Sequence, residues 1–416
     1  MADPPGGAAL LKRAPFLLFL SSRILSQGAL QVQAVAVGWQ LYELTGSALD
    51  LGLLGLVQFL PVLLMTLPAG HVADRHPRKL VVGSCRMAAG VAVLALGLGS
   101  LAGWLDRTAI FVLVGLLGIA RAFEMPAQQA LLPGVVPGAL FPRAVSLTTT
   151  AGQLATICGP AVAGALIVLG GTAAAYLPAA VALLAAGAMA LAIAVPPHVP
   201  AAGGAGLARF FEGVAFLRAR PVLVGAVSLD MVAVAMGGAA ALFPVYARDV
   251  LAAGPVGLGM LRAAPAVGAM ATGLFLAWRP LRGRSGLRMF QAVILFGVAT
   301  TGFALSTSLI LSVALLVVVG AADVVSVVVR QSIVQLGTPD EMRGRVAAVN
   351  SLFIGASNQL GEFRAGGMAA AIGPMAAAAI GGACTVAVAL AWMRIFPALR
   401  GIDRLEEVAE GAPKPM

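Results

Sequence analysis

Twelve long apolar runs dominate this chain and leave it little choice of environment. A helix needs about 20 mostly apolar residues to cross the hydrocarbon of a bilayer. Runs of that kind lie at 16–41, 48–72, 79–103, 108–130, 143–169, 172–195, 221–246, 255–278, 288–308, 310–335, 345–372 and 374–396. They are continuous rather than alternating, so they read as helices and not as outer-membrane strands. Composition closes the other routes. Hydrophobic residues make up 60% of the 416 and charged residues 11%, and the mean hydropathy is +0.97. A soluble domain is about one quarter charged, so this chain cannot coat a water-soluble globule, and it is too apolar to stay disordered. Cys85, Cys158 and Cys384 fall inside apolar runs and read as small hydrophobes, not a disulfide framework. The stretch Ala2 to Ala14 is short and polar, and the run after it is too long for a signal-peptide core, so that run is expected to be a retained helix. The expected fold class is an all-α membrane protein of twelve transmembrane helices.

The loop charges set an orientation. With the N-terminus in the cytoplasm, the inside segments hold Lys12, Arg13, Arg75, Arg78, Lys79, Arg143, Arg209, Arg218, Arg220, Arg279, Arg282, Arg284, Arg288, Arg343, Arg345, Arg400, Arg404 and Lys414, whereas the outside segments hold only Arg107 and Arg248. That asymmetry places both termini in the cytoplasm of a multi-pass inner (plasma) membrane protein. It also accounts for the net charge of +10 without any nucleic-acid partner. The longest interruption, 196–220, starts at Pro196-Pro197-His198. The expected organisation is therefore a six-helix bundle at 1–195, a cytoplasmic linker at 196–220, a second bundle at 221–396 and a tail at 397–416. Within the linker Leu207, Phe210, Phe211, Val214 and Leu217 share a helical face, which suggests an interfacial helix on the cytoplasmic leaflet; a plain linker without lipid contact fits the same residues.

The two halves are related. A shift of 202 residues lays Gln129 over Gln331, Pro137 over Pro339, Arg143 over Arg345, Gly159 over Gly361 and Gly164 over Gly366. Together with six runs on each side of the linker, this suggests two pseudo-symmetric bundles, as in carriers that rock around a midplane site.

The most specific motif follows the second run: Gly70-His71-Val72-Ala73-Asp74-Arg75-His76-Pro77-Arg78-Lys79. Gly-x-x-x-Asp-Arg-x-x-Arg-Lys between the second and third of twelve helices resembles the signature loop of the major facilitator superfamily. Gly70 permits a tight approach at a helix end, and Asp74 can sit at a helix N-terminus and pair with a base. Such contacts would make a latch on the cytoplasmic side. The second-half counterpart, Arg279-Pro280-Leu281-Arg282-Gly283-Arg284, lacks the acid. Further segments, Leu41-Tyr42-Glu43-Leu44-Thr45-Gly46-Ser47-Ala48, Leu67-Pro68-Ala69-Gly70 and Thr338-Pro339-Asp340-Glu341-Met342-Arg343-Gly344-Arg345-Val346, with Arg23 in the first run, are similar to the enterobactin-exporter-like and macrolide-efflux-like branch of that superfamily. The resemblance implies the major facilitator fold, and adds Arg343 and Arg345 to the latch. In the fifth run Gly152, Gly159-Pro160 and Gly164 resemble the exporters' Gly-Pro motif. Gly361, Ala365, Ala369 and Gly373 form a matching stripe in the eleventh. Small residues let helices approach and Pro160 bends one; plain packing explains the same pattern.

Charges in hydrocarbon are costly, so each marks a site candidate. Asp230 and Asp323 lie near midplane depth, and a carboxylate there can load and release a proton. Both are expected to couple transport to protons, with Asp323 alternatively a structural partner of Arg330 or Arg121. Glu124 and Glu362 lie nearer the faces, and Glu362 is expected to pair with Arg364. Arginine cannot shed its charge, so Arg23, Arg86, Arg121, Arg262, Arg330 and Arg364 need acids, carbonyls, water or an anionic ligand. Arg86 is expected to serve the latch. Arg23 and Arg121, with Gln27, Gln31, Gln33 and Gln58, are the expected substrate contacts; for the glutamines helix–helix bonding is equally open.

Several chemistries are missing from the sequence. There is no Gly-x-x-x-x-Gly-Lys-[Ser/Thr] loop for ATP, and His71, His76 and His198 are loop residues that do not join the cysteines in a metal site. Gly97-Leu98-Gly99 lies inside an apolar run and reads as packing, not a dinucleotide turn. No cofactor is expected, and no enzymatic site. The expected function is proton-coupled export of a small siderophore- or drug-like molecule by a monomer working through alternating access. An uncoupled facilitator or importer on the same fold is the second reading, and a scaffold or receptor the third.

Overall fold

A computed structural model describes residues 10, 13–195, 207–279, 281 and 283–403. The charges expected at Lys12, Arg282, Arg404 and Lys414, and the Pro196-Pro197-His198 segment, lie outside these residues. Among the described residues there are no strands. The helices are α1 (Ala14–Thr45), α2 (Ala48–Arg75), α3 (Arg78–Ala102), α4 (Arg107–Val135), α5 (Phe141–Leu191), α6 (Leu207–Arg218), α7 (Pro221–Gly237), α8 (Gly254–Trp278), α9 (Ser285–Leu305), α10 (Leu309–Leu336), α11 (Asp340–Ile372) and α12 (Pro374–Ile395). Prolines open α1, α7 and α12, where the missing N–H would have had no partner anyway. Asp106 caps α4 by accepting the Ala109 N–H at 2.7 Å.

Among the described residues nine helical spans are long and apolar enough to cross a membrane. One of them, Gly138–Leu191, holds two of the expected runs. Its helix α5 breaks at Gly170 and Gly171, and Gly171 has φ 70° and ψ −174°, a backbone shape that suits a residue without Cβ. The two remaining expected runs are also helical. They are α1 (32 residues) and α11 (33 residues), which carry Arg23, Gln27, Gln31 and Gln33, and Gln359, Glu362 and Arg364. Their polarity is the reason they fall short as purely apolar spans. The seventh run, expected to be continuous over 221–246, is not. The α-helix stops at Gly237, and a 3-10 turn (Ala240–Leu242), one α turn (Phe243–Val245) and a π turn (Tyr246–Val250) follow. Gly237-Gly238 and then Pro244 remove the side chains and the N–H that would carry the helix through.

The chain splits into two compact units, Met1–Gly46 with Val57–Ala205, and Ser47–Leu56 with Gly206–Met416. In the first, α1 packs along α5, and α3 packs on α4 and α5. A glycine every seventh residue on α3 makes the second contact close. Methyl groups at Gly83, Gly90 and Gly97 would fall 2.5, 2.8 and 2.9 Å from Leu191, Leu184 and Leu177. Lacking a strong hydrophobic drive between helices in lipid, such closeness is what makes dispersion and backbone contacts effective. In the second unit α8 crosses α10 and α9 crosses α12. A methyl at Gly320 would lie 1.8 Å from the Pro265 carbonyl oxygen, and one at Gly297 2.7 Å from that of Gly382. Met289 and Phe290 of α9, Val329 and Ile333 of α10 and Val349 of α11 form an apolar core with Leu399, beyond α12. Phe210, Val214, Phe216 and Leu217 of α6 pack on that core. Phe211, expected on the same face, is 61% exposed and meets only the edge of this cluster through Phe210, their ring centroids 5.9 Å apart.

Candidate functional site

Three helices of the second unit line a small, partly open cavity. Asp230, Ala233 and Val234 come from α7, Val293 and Phe296 from α9, and Ala322, Asp323 and Ser326 from α10. Its volume of about 20 Å³ is enough for one water. The two acids singled out by depth in the membrane therefore share one chamber. Their surroundings differ. Asp230 is buried and forms an ion pair with Arg330, two turns beyond Asp323 on α10; the two paired side chains are 10% and 3% exposed. The sequence offered Arg330 to Asp323, but the register of α7 against α10 gives it to Asp230. Asp323 has no hydrogen-bond or ion-pair partner among the described residues, and opens instead onto the cavity.

Arg364 is not paired with Glu362 either. It bonds the carbonyls that α7 leaves free where it breaks: Nε donates to Ala235 O at 3.0 Å and Nη2 to Gly238 O at 3.4 Å. A cation at a helix C-terminus satisfies orphan carbonyls and the helix dipole together. Glu362 instead lies within electrostatic reach of Arg262 on α8. Gly55 of α2 makes room for this group: a methyl there would sit 2.6 Å from Gln359 Oε1 and 2.8 Å from Glu362 Oε2.

In the first unit the central polar feature is a buried network the sequence did not connect. Arg86 of α3 donates from Nε to Glu124 Oε1 of α4 at 2.7 Å and from Nη1 to Ser22 Oγ of α1. Ser22 in turn donates to Ala186 O of α5 at 2.5 Å. Four helices are thereby tied, and Arg86 is spent on Glu124 rather than on the loop after α2. Arg23 lies beside this network, in electrostatic reach of both its charges. Arg23, Gln27 and Gln31 recur every fourth residue of α1, and all three are half-buried. Gln31 Nε2 donates to Thr156 Oγ1 of α5 at 3.4 Å. Gln58 is half-buried, and its backbone oxygen lies against Gly118 of α4, 2.4 Å from where a methyl would sit. Gln33 is buried.

Helix α4 is exposed on two opposite sides. Val112, Leu116 and Ile119 are exposed on one. At 3.6 residues per turn, Arg121 and Gln128 stand on the other, where Arg121 is exposed and Gln128 half-buried. An apolar face suits lipid; an arginine on the reverse face needs water or a ligand.

The latch residues engage helix ends. Arg78 Nη1 donates to Ala130 O at 2.8 Å, and Lys79 Nζ to Ile193 O at 3.1 Å. Arg75 is exposed. The side chain of Asp74 lies outside the described residues. A methyl at Gly70 would meet nothing within 4 Å, so no close neighbour in this structure calls for glycine there. In the second unit Arg343 pairs with Asp340 at 2.7 Å and Arg345 with Glu212 of α6 at 2.5 Å. Glu212 was not singled out in the sequence, and its place on a linker helix gave no signal of the pairing. Of the packing glycines, Gly159 abuts Gln31 of α1 (2.5 Å to a built methyl) and Gly361 the Val234 carbonyl of α7 (2.7 Å), whereas a methyl at Gly152 would meet nothing. Pro160 and Gly164 are buried in α5.

Residues 7–415 match the family model described as transmembrane secretion effector. The chain belongs to that family. It is accordingly a multi-pass membrane transporter of the major facilitator superfamily, and not an enzyme. The chain is 30% identical over 375 residues to the multidrug efflux pump Tap of Mycolicibacterium fortuitum, covering 87% of this chain and 91% of the relative. It is 26% identical over 407 residues to the enterobactin exporter EntS of Citrobacter koseri, covering 97% of each. Among solved structures it resembles a bacterial homologue of the human lysosomal transporter Spinster, with TM-score 0.72 and 16% identity over 97% of this chain and 100% of that one. A bacterial homologue of the iron transporter ferroportin gives TM-score 0.70 and 18% identity over 94% and 100%. At those identities the likeness bears on the fold alone.

Proposed function

We propose that this transporter exports small organic molecules of drug or siderophore type by alternating access, and that protons moving inward drive it. The observation that carries the coupling is the cavity of α7, α9 and α10. Two carboxylates face one water-sized chamber in hydrocarbon, a costly arrangement with no packing advantage. Export is favoured by relatives named as a multidrug efflux pump and an enterobactin exporter.

In this reading Asp230 and Asp323 couple protons to transport. Arg23, Gln27 and Gln31 of α1, Gln58 of α2 and Arg121 of α4 contact the substrate, their polar atoms set on half-buried or exposed faces of apolar helices. Gly70, Asp74, Arg75, Arg78 and Lys79, with Arg343 and Arg345, form the cytoplasmic latch, the described bases binding helix-end carbonyls and acids that a conformational change can exchange. Gly152, Gly159, Pro160, Gly164 and Gly361 let helices bend and slide. The working bodies are the bundles at 1–195 and 221–396, joined by the 196–220 linker and followed by the 397–416 tail. The protein sits as a monomer in the inner membrane with both termini in the cytoplasm, as the basic inside loops favour.

The test is purified protein in sealed vesicles, with a substrate panel of siderophores, macrolides and cationic dyes ranked first by thermal stabilisation. Proton-driven export predicts movement of the stabilising compounds that depends on an imposed pH gradient and is lost in Asp230→Asn. Equal movement with and without the gradient, unchanged in Asp230→Asn, contradicts it.

A further inference from the structure

The cavity holds an imbalance that separates its two acids. Arginine keeps its proton at any physiological pH, and Arg330 already balances Asp230. Asp323 faces the same chamber with no cation of its own. The charged groups on the neighbouring helices do not supply one. On α7 the sole titratable side chain is Asp230 itself. On α9 it is Arg288, in the first turn, whereas the cavity wall there is Val293 and Phe296. On α8 it is Arg262, which faces Glu362 of α11. On α10, Ser326 offers a hydroxyl and Arg330 is taken. Two carboxylates and one guanidinium leave one negative charge in hydrocarbon unless a cation joins them.

Resting on the proton-driven reading above, we infer that, of the two coupling acids, Asp323 carries the exchangeable proton, and that Asp230 contributes to coupling as the fixed counter-charge of Arg330. A hydronium ion at one face of the membrane gives its proton to an Asp323 carboxylate oxygen, its own O–H bond breaking as the new one forms and water leaving. The new bond breaks when the cavity opens to the other face, and no electrons are transferred. The walls favour a proton over a metal cation. Of the lining residues only Asp230, Asp323 and Ser326 carry side-chain oxygens, and Arg330 already occupies Asp230, which leaves fewer protein oxygens than the shell of about six that a hard cation takes.

Infrared difference spectra between high and low pH, recorded on protein in vesicles without substrate, read the protonated carboxylic acid directly. Wild type, Asp323→Asn and the double variant Asp230→Asn/Arg330→Gln are compared; the double variant keeps the cavity's net charge, whereas Asp230→Asn alone would free Arg330 to balance Asp323. The expected result is a titrating carboxylic-acid band that disappears in Asp323→Asn and persists in the double variant. In parallel, Asp323→Asn loses gradient-driven ethidium efflux but keeps ethidium exchange. A band that survives in Asp323→Asn, vanishes in the double variant, is absent from the wild type, or responds to sodium chloride instead of pH overturns the assignment. The spectra need no substrate, so a wild type that moves no ethidium counts against the exporter reading while leaving the proton assignment separately decided.

Discussion

Removing Glu124 tests how the first unit is held together. Arg86 and Glu124 are 3% and 10% exposed in their side chains and meet at 2.7 Å, with Ser22 as the only other bonded partner of Arg86 among the described residues. Glu124→Gln keeps the shape and removes the charge, leaving a buried guanidinium that cannot deprotonate. Breaking a buried pair from one side costs about 3–5 kcal/mol, whereas replacing both partners with apolar residues of similar volume is often near neutral. Ser22→Ala removes one acceptor, a loss of roughly 1–3 kcal/mol. Arg86→Met and Glu124→Met should each lose about as much as Glu124→Gln, and Arg86→Met/Glu124→Met should recover most of the loss. The predicted coupling in the cycle is therefore at least about 3 kcal/mol, beyond the few tenths expected of independent sites. Thermal unfolding in detergent reads it. At about 2–4 °C per kcal/mol for a unit of this size, each variant that breaks the ion pair from one side should melt about 6–20 °C lower, and Ser22→Ala less. Singles that lose less than about 1 kcal/mol, or losses that simply add in the double variant, would refute the claim that this network ties the four helices.

Gly320→Ala should destabilise by about 1–3 kcal/mol through overpacking, because its methyl would fall 1.8 Å from Pro265 O; Gly273→Ala, where a methyl meets nothing within 4 Å, should be neutral or slightly stabilising, and paired melting curves check the contrast. Arg364→Met should free the Ala235 and Gly238 carbonyls and lose about 1.5–3 kcal/mol per charge-assisted bond, seen as faster hydrogen exchange in residues 235–246, with Arg364→Lys intermediate. Asp74→Asn should shift the inward and outward populations reported by cysteine accessibility; an unchanged pattern counts against the latch. Tryptophan in place of the exposed Phe211 should be quenched by brominated lipid if α6 lies on the leaflet, and by aqueous acrylamide if it does not.

The helices were legible because a run of about 20 apolar residues has one use, and the break between the fifth and sixth runs was legible from Gly170-Gly171. The interruption of α7 was not. Gly237-Gly238 sits in an otherwise apolar stretch and reads as packing, and only the added Pro244 turns it into a stop. Charge depth singled out Asp230, Asp323, Arg86, Arg330 and Arg364, but not which partner each takes. Partner choice depends on rotation and register between helices far apart in sequence, set by contacts such as Gly320 on Pro265 and Gly361 on Val234. Arg364 shows the limit well. Its neighbour Glu362 suggests a pair, whereas the carbonyls it binds exist only because α7 ends where it does. Ser22, with its hydroxyl placed between Arg86 and Ala186, carried no signal beyond being a small polar residue in an apolar run.

The proposed transport is a stoichiometric exchange of protons for an organic molecule. It is tested most directly with purified protein in sealed vesicles holding a trapped pH-sensitive dye, with ethidium or enterobactin added to the side of the protein that carries its termini. The account predicts that substrate entry into the vesicle is matched by proton exit from it, and that Asp323→Asn abolishes the proton movement. Substrate entry with no proton movement, or with the same proton trace in Asp323→Asn, would contradict it.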